Sequence, residues 1–136
     1  MPYTSAFDAA RHLAVLRADG AVDLAASLEA MAALTADDRL APGWAILVDM
    51  RAADYTPSLA EVRRLTELQG QAERLKAHPI AFVTATAVHH TAANMVATMA
   101  TLKGATAKAF RDLAEAEAWL ASPPPRTGMT PGEPVS

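Results

Sequence analysis

The chain has 136 residues, of which 51 % are hydrophobic and only 5 % aromatic, and its 12 basic and 15 acidic side chains leave a net charge of −3. This length suits one domain with its own core, and the interspersed charges exclude the basic surface that nucleic acid requires. The lack of cysteine excludes a disulfide scaffold. We find no signal peptide and no apolar run of the ~20 residues that cross a bilayer, so we expect a cytoplasmic protein without a membrane span.

The N-terminal part of the chain predicts a β-hairpin followed by a helix. Residues 3–7 and 12–17 are its expected strands, with a turn at residues 8–11, and Gly20 is expected to bend the end of the second strand. Asp23 is placed to cap a helix that continues to about Ala36. The inward side of this helix is predicted to carry Leu24, Leu28 and Met31.

Residues 44–48 (WAILV) are the most informative stretch of the sequence. An apolar run without alternation is typical of a parallel strand that is covered on both faces. A polar turn is expected to follow it from Asp49. The next helix is predicted over residues 59–76, with its inward side formed by Val62, Leu65, Leu68, Ala72 and Leu75.

The C-terminal part repeats the pattern of strand and helix. Residues 79–84 predict an apolar strand, and a helix is expected from about His90 to Leu102, ending at Gly104. Its expected inward residues are Met95, Val96, Met99 and Leu102. A weaker strand over residues 105–110 precedes a short helix that opens with a capping box at Asp112. The bulky core side chains are expected to be Trp44, Phe82, Phe110 and Trp119.

The order ββαβαβαβα predicts a single α/β domain over residues 1–121. We expect a mostly parallel sheet with right-handed crossovers, an N-terminal antiparallel hairpin strand at one edge, and helices packed on the sheet. Residues 122–136 are rich in Pro and Gly and are expected to form a disordered tail.

Ligands of open α/β sheets bind beyond the carboxyl ends of the parallel strands. The polar residues predicted at this rim are Asp49, Arg51, Tyr55, Thr56, Ser58, Thr84, Thr86, His89, His90, Arg111 and Asp112. Asp49 and Arg51 alternate along a strand end, so they suit an ion pair or a ligand anchor; the favoured role of Asp49 is to fix a neighbouring loop.

Ser58 is the sharpest single candidate, because a phosphate on a hydroxyl at a helix N-terminus is stabilised by free N–H groups. The same serine also forms a capping box with Glu61, and Thr56 before Pro57 is an alternative cap, so a structural role is favoured.

The adjacent His89 and His90 do not suit a metal site, because neighbouring helical residues point about 100° apart. A general-base role for His89 stays open. We find no nucleophile motif and no glycine-rich phosphate loop, so we expect no enzyme activity, no catalytic residue and no cofactor. Met95 and Met99 suit an adaptable groove, although core packing is favoured.

Three segments resemble the STAS superfamily, in particular its SpoIIAA-like branch of bacterial proteins. They are residues 19–23 (DGAVD), 42–51 (PGWAILVDMR) and 109–120 (AFRDLAEAEAWL), and the resemblance covers residues 3 to about 121. It implies a non-enzymatic regulatory module that acts by binding a protein partner, such as a kinase or another regulator. A homodimer is compatible with this interpretation.

The resemblance also implies two sites. In antagonist members of the superfamily, a partner kinase phosphorylates a serine at the start of the helix after the central strand, and Ser58 lies near the matching position, with Thr56 beside it. The family pattern is Asp-Ser followed by Ser-Gly, where this chain has PSLA at residues 57–60. Other SpoIIAA-like proteins are similar to lipid-binding CRAL-TRIO domains, which implies, as the alternative, a small apolar ligand held between the sheet and the helices that carry Leu65, Leu68, Met95 and Met99.

Overall fold

The computed structural model describes residues 2–71 and 78–121, with all of their side chains except those of residue 66 and residues 68–71. The described residues form five strands and four helices in the predicted order. These are β1 (Tyr3–Asp8), β2 (Leu13–Ala21), α1 (Leu24–Ala36), β3 (Ala45–Asp54), α2 (Leu59–Gln71), β4 (Ile80–Val83), α3 (Ala87–Leu102), β5 (Ala107–Phe110) and α4 (Leu113–Ala121).

The strands form one sheet in the order β1-β2-β3-β4-β5, in which β1 is antiparallel to β2 and all other neighbours are parallel. The predicted α/β fold, with its antiparallel edge strand, is therefore confirmed. Right-handed crossovers that all advance in the same direction place their helices on the same face of the sheet. Accordingly, α1, α2 and α3 share one core cluster, whereas α4 packs in a second cluster on the opposite face.

Strand β3 contributes to both clusters because successive side chains of a strand point to opposite faces. Ile46 and Val48 pack beneath α1, α2 and α3, while Ala45 and Leu47 pack beneath α4. All four are at least 92 % buried. This confirms that the apolar run without alternation is a strand covered on both faces.

The predicted polar turn from Asp49 is wrong, because β3 continues to Asp54. Strand β2 is also longer than expected and reaches Ala21, so residues 19–21 pair with residues 52–54. The register between the two strands shifts by one residue between Arg17 and Asp19, where β3 holds the extra residue of a β-bulge. The turn that leads to α2 therefore covers only residues 55–58.

Helix α3 begins at Ala87, three residues before the predicted start at His90. Thr86 is its N-cap, with an extended backbone (φ −118°, ψ 157°) and a hydroxyl that accepts a hydrogen bond from the His89 N–H. At its other end, Gly104 adopts φ 100°, as expected of a residue that terminates a helix.

The inward face of α3 also differs from the prediction. Val96 is buried together with Ala97 and Ala100, whereas Met95 is 40 % and Leu102 82 % exposed. Met99 is partly buried against the core. The small side chains of Ala97 and Ala100 let α3 pack closely on its neighbours. Met95 and Leu102 lie on other sides of the helix and are exposed.

The remaining predictions are confirmed in part. Asp23 caps α1, which ends at Ala36, but the buried residues of α1 are Ser27 and Leu34, while Leu24, Leu28 and Met31 are half-buried. Phe82 and Phe110 are core residues, and the two tryptophans pack at the core's edge.

The predicted end of α2 at residues 72–76 and the predicted tail at residues 122–136 lie outside the described residues. Within the described ranges, no helix has the length and hydrophobicity to cross a membrane.

Candidate functional site

The polar residues predicted to share one rim belong to two separate groups. Side-chain alternation along β3 places Asp49 on the face of Ala45 and Leu47, which α4 covers. Tyr55, Thr84 and His89 instead line a cavity on the opposite face, among α1, α2 and α3. The sheet therefore separates Asp49 from the cavity, and no single ligand site contains all of the predicted residues.

Asp49 and Arg51 form a tight ion pair at the β3 bulge. The Arg51 side chain donates from Nε to Oδ1 at 2.9 Å and from Nη2 to Oδ2 at 2.9 Å, and the Arg51 backbone N–H donates to Oδ1 at 3.1 Å. These contacts, with the side-chain bonds foremost, hold the pKa of the buried Asp49 carboxyl below its ordinary value. The pair fixes the backbone of the bulge within β3, whereas the sequence favoured a role for Asp49 in fixing a neighbouring loop.

The start of α2 is held by a reciprocal capping box. The Ser58 hydroxyl accepts the Glu61 N–H at 3.2 Å, and the Glu61 carboxylate accepts the Ser58 N–H at 3.1 Å. Ser58 is therefore the N-cap, and Thr56, the alternative cap, is exposed in the preceding turn. Ser58 is also exposed.

Glu61 extends this arrangement to Tyr55. The Tyr55 hydroxyl donates to the second carboxylate oxygen of Glu61 at 3.1 Å. Burial, followed by the neighbouring carboxylate, raises the pKa of the Tyr55 phenol, while hydrogen bonds from the Ser58 N–H and from Tyr55 lower the pKa of Glu61. Tyr55, Glu61 and Ser58 thus form a continuous hydrogen-bonded chain from the cavity to the surface.

The cavity has a volume of about 80 Å³ and lies between the carboxyl ends of the parallel strands and the three helices on that face. Its wall is largely apolar, with Leu16, Val48 and Phe82 from the sheet and Met31, Leu65 and Val96 from the helices. Drug-sized ligands occupy pockets of roughly 300–1,000 Å³, so this cavity is small by comparison.

The sequence did not identify Tyr3 and Ser27 as part of this cavity. The Ser27 hydroxyl donates to the backbone oxygen of Asp23 at 2.9 Å, and its oxygen lies 2.9 Å from the Tyr3 hydroxyl. In the sequence, the only local indication of the contact between Tyr3 and Ser27 is that Ser27 lies four residues after the Asp23 cap, on the inward face of α1. Thr84, also in the lining, is buried and directs its hydroxyl to the Phe110 carbonyl at 3.5 Å.

The two histidines lie in the first turn of α3 rather than in a loop. His89 is half-buried in the cavity wall, and His90 is half-buried with an Nδ1 atom that has no hydrogen-bond partner among the described residues. In the described part of the chain, no cluster of three or more histidine, aspartate or glutamate residues could hold a metal ion. Arg111 is exposed and is not part of the cavity lining.

Comparison of this chain with protein-family models, with curated proteins and with solved structures finds no match.

We expect Asp49→Ala to lower the free energy of unfolding at neutral pH by about 1–2 kcal/mol, because it removes charge-assisted hydrogen bonds to Arg51. The Asp49 pKa is lowered from its ordinary value of 3.8 in the folded state, so its stabilising effect is complete above that pH and is lost as the pH falls through the folded-state pKa. Urea unfolding of the unaltered chain and of Asp49→Ala, from neutral pH to below the folded-state pKa of Asp49, measures the difference in their free energies of unfolding.

Asp49→Asn is the matched control, because the amide oxygen still accepts the Arg51 N–H but carries no charge. It should cost less stability than Asp49→Ala. A stability difference that stayed constant as Asp49 became protonated would contradict the importance of the ion pair.

Proposed function

We propose that this chain is a non-enzymatic, STAS-like regulatory module that binds a protein partner through the start of α2. The binding surface, here named the α2 rim, consists of Tyr55, Thr56, Ser58, Leu59 and Glu61. The resemblance of residues 19–23, 42–51 and 109–120 to the STAS superfamily supports this proposal, because it implies a switch serine at the start of the helix after the central strand, and Ser58 lies at the start of α2, which follows β3. It also suggests a cytoplasmic bacterial setting and a kinase or another regulator as the partner.

The observation that carries the proposal is the exposure of Leu59 directly beside the Ser58 cap. Leu59, the first residue of α2, is 55 % exposed, and the capping box between Ser58 and Glu61 fixes the backbone at this position. A large apolar side chain on a preorganised backbone, surrounded by polar groups, has the composition of a protein-binding anchor. Because this backbone is already ordered, it loses less conformational entropy when a partner binds.

The protonation properties of the α2 rim favour binding over catalysis. An efficient general acid or base has a pKa near the working pH. Here the pKa of Glu61 is lowered and that of Tyr55 is raised, so both shift away from neutrality. The Ser58 hydroxyl is engaged by the Glu61 N–H rather than by a general base. These groups therefore suit a fixed surface for recognition.

The same geometry gives phosphorylation of Ser58 a specific consequence. A phosphate at this position gains the free N–H groups of the α2 N-terminus, but it competes with the Glu61 carboxylate, which lies 3.1 Å from the Ser58 nitrogen. Displacement of Glu61 would also remove the acceptor of the Tyr55 hydroxyl. A kinase that modified Ser58 would thus change both the charge and the shape of the α2 rim.

We expect Leu59→Arg to abolish capture of the partner from an extract of the native cells, because a charged side chain replaces the apolar anchor. Affinity purification with the full chain as bait, followed by quantitative mass spectrometry, measures this loss. Leu102→Arg is the matched control, since Leu102 is also an exposed leucine but lies at the opposite end of its helix, away from the rim. Equal capture by all three baits, or no specific capture by the unaltered chain, would refute the proposal.

Substitution of Ser58 separates its capping role from its role in binding. Ser58→Asp keeps a good N-cap and adds a negative charge, whereas Ser58→Ala removes the cap at a cost of about 1 kcal/mol. If phosphorylation of Ser58 controls the α2 rim, Ser58→Asp changes the amount of partner that is captured. The thermal stability of this variant stays close to that of the unaltered chain.

A second candidate function is binding of a small apolar molecule, and the apolar wall of the cavity favours it. The cavity of about 80 Å³ is smaller than the ~150 Å³ that accommodates a benzene molecule, so a larger ligand requires side chains such as Tyr55 and Leu65 to move.

The small cavity predicts that native mass spectrometry of freshly purified protein detects only the mass of the bare chain. An additional mass that disappears in Ala93→Leu, which fills the cavity wall with a larger side chain, would instead establish the second candidate. A substitution of the exposed Ala32 by Leu on α1 is the control for nonspecific effects.

A further inference from the structure

Part of the cavity is lined by three hydroxyl groups whose protons are already used within the protein. They belong to Tyr3, Ser27 and Tyr55, of which the two tyrosines pack against the same small core cluster; this part is here named the hydroxyl end. The Ser27 hydroxyl donates its single proton to the Asp23 carbonyl, so the Tyr3 hydroxyl donates to the Ser27 oxygen at 2.9 Å. The Tyr55 hydroxyl donates to the Glu61 carboxylate at 3.1 Å. A ligand at the hydroxyl end therefore meets the two phenol oxygens as hydrogen-bond acceptors.

The other polar groups of the lining add more acceptors than donors. The Met50 sulfur, 3.9 Å from the Tyr3 hydroxyl, is a weak acceptor, and the Thr84 hydroxyl is directed to the Phe110 carbonyl at 3.5 Å. A neutral imidazole such as that of His89 has one donor and one acceptor nitrogen. Among the described residues that line the cavity, none is Lys or Arg. This lining therefore selects a ligand that donates hydrogen bonds.

The charges around the hydroxyl end are negative on balance. The N-termini of α1, α2 and α3 lie at the cavity, because Ser27, Pro57 and His89 line it. Each helix N-terminus contributes roughly half a positive elementary charge. However, Asp23 caps α1 and Glu61 forms the capping box of α2, and each of them brings a full carboxylate charge. The two carboxylates outweigh the three helix N-termini.

The two phenols respond to this negative charge. Burial raises the pKa of both Tyr3 and Tyr55, and the charge of Asp23 acts in the same direction on both of them. The Glu61 carboxylate further raises the pKa of Tyr55. A field that disfavours the phenolate also disfavours an anionic ligand, and it favours a cation.

The apolar part of the cavity sets the size of the ligand. The volume of about 80 Å³ is about half of the ~150 Å³ that accommodates benzene, so it has room for about three or four non-hydrogen atoms. The aromatic rings of Tyr3, Tyr55 and Phe82 are in the lining, and the faces of such rings attract cations.

We propose that the cavity binds a short-chain primary alkylammonium ion. Its ammonium group donates hydrogen bonds to the phenol oxygens of Tyr3 and Tyr55, and its alkyl chain contacts the apolar wall formed by side chains such as Val48 and Val96. An alcohol of the same size offers one donor and no charge, and a carboxylate offers only acceptors and the wrong charge. The ammonium ion alone combines several donors with a positive charge.

The small size of the ligand limits its affinity. Even the best ligands of four non-hydrogen atoms reach only about tens of micromolar, so the expected dissociation constant is on the order of millimolar. Such a ligand is lost during purification, in agreement with the bare mass expected above. The inference rests on the second candidate function, which it narrows to one class of ligand, and it does not depend on a partner at the α2 rim.

Two-dimensional NMR of the isotopically labelled full chain measures this binding. Propylamine, which is an ammonium ion at neutral pH, should shift the amide signals of Ser27, Tyr55 and Thr84 and leave those of α4 on the opposite face unchanged. Propan-1-ol should bind about fivefold more weakly or worse, and propionate should cause no saturable shift.

Glu61→Gln tests the contribution of charge. Glutamine also completes a capping box and accepts the Tyr55 hydroxyl, so the variant should keep its thermal stability. It should weaken the binding of propylamine about fivefold or more and leave that of propan-1-ol unchanged. Glu67→Gln is the matched control, because it removes the same charge from α2 at an exposed position outside the cavity lining.

Tyr55→Phe tests the hydrogen bond without the charge. It keeps the aromatic ring and the Glu61 carboxylate but removes one acceptor oxygen, so it should also weaken the binding of propylamine. Binding of propylamine that is unaffected by both Glu61→Gln and Tyr55→Phe would overturn the proposal.

The two neutral outcomes separate this proposal from the second candidate function. If propan-1-ol binds as tightly as propylamine, the cavity is a ligand site without selection for charge, and only this proposal fails. If neither compound shifts the signals of the cavity residues, the second candidate function fails together with it. Neither result bears on partner capture by the α2 rim.

Discussion

The direction of the chain through the sheet is the constraint on which the rest of this structure depends. From β2 to β5, each strand is added on the same side of the previous one, and right-handed crossovers therefore place α1, α2 and α3 on one face. Among the described residues, α4 is the only helix that covers the other face. Within the part of the chain that the structure describes, the order of the parallel strands does not reverse, whereas doubly wound folds bind ligands at such a reversal.

This arrangement explains why the polar rim residues are divided. The cavity lies between the carboxyl ends of the strands and the three helices, whereas Asp49 and Arg51 stabilise a bulge on the opposite face. The cavity wall, the Tyr55 hydroxyl and the Ser58 cap are linked through Glu61. Glu61 thus fixes the start of α2, and the hydrogen bonds from the Ser58 N–H and from Tyr55 hold its pKa below the ordinary value.

The parts of the fold that the sequence predicted are those governed by local chemistry. The strand at residues 45–48 follows from an unbroken apolar run, and the starts of α1 and α2 follow from the capping side chains of Asp23 and Ser58. Each of these features depends on residues close together in the chain. The local signal was therefore sufficient.

The features that the sequence did not predict depend on contacts between distant segments. The extension of β3 to Asp54 requires pairing with the extended end of β2, and the cavity assembles Tyr3, Ser27 and His89 from three separate elements. The predicted inward face of α3 is wrong because apolar residues of this helix occur on all of its sides. Periodicity alone therefore does not identify the buried side. The exposure of Met95 and Leu102 is visible only once the alanine face of α3 has packed.

We propose that a protein partner covers the start of α2, and amide hydrogen exchange of the full chain bound to its captured partner tests this proposal most directly. The predicted result is slower exchange in the first turn of α2 on binding, with little change in α4 on the opposite face. Unchanged exchange at the start of α2, together with protection of α4 or of the strand edge around Arg51, would contradict it.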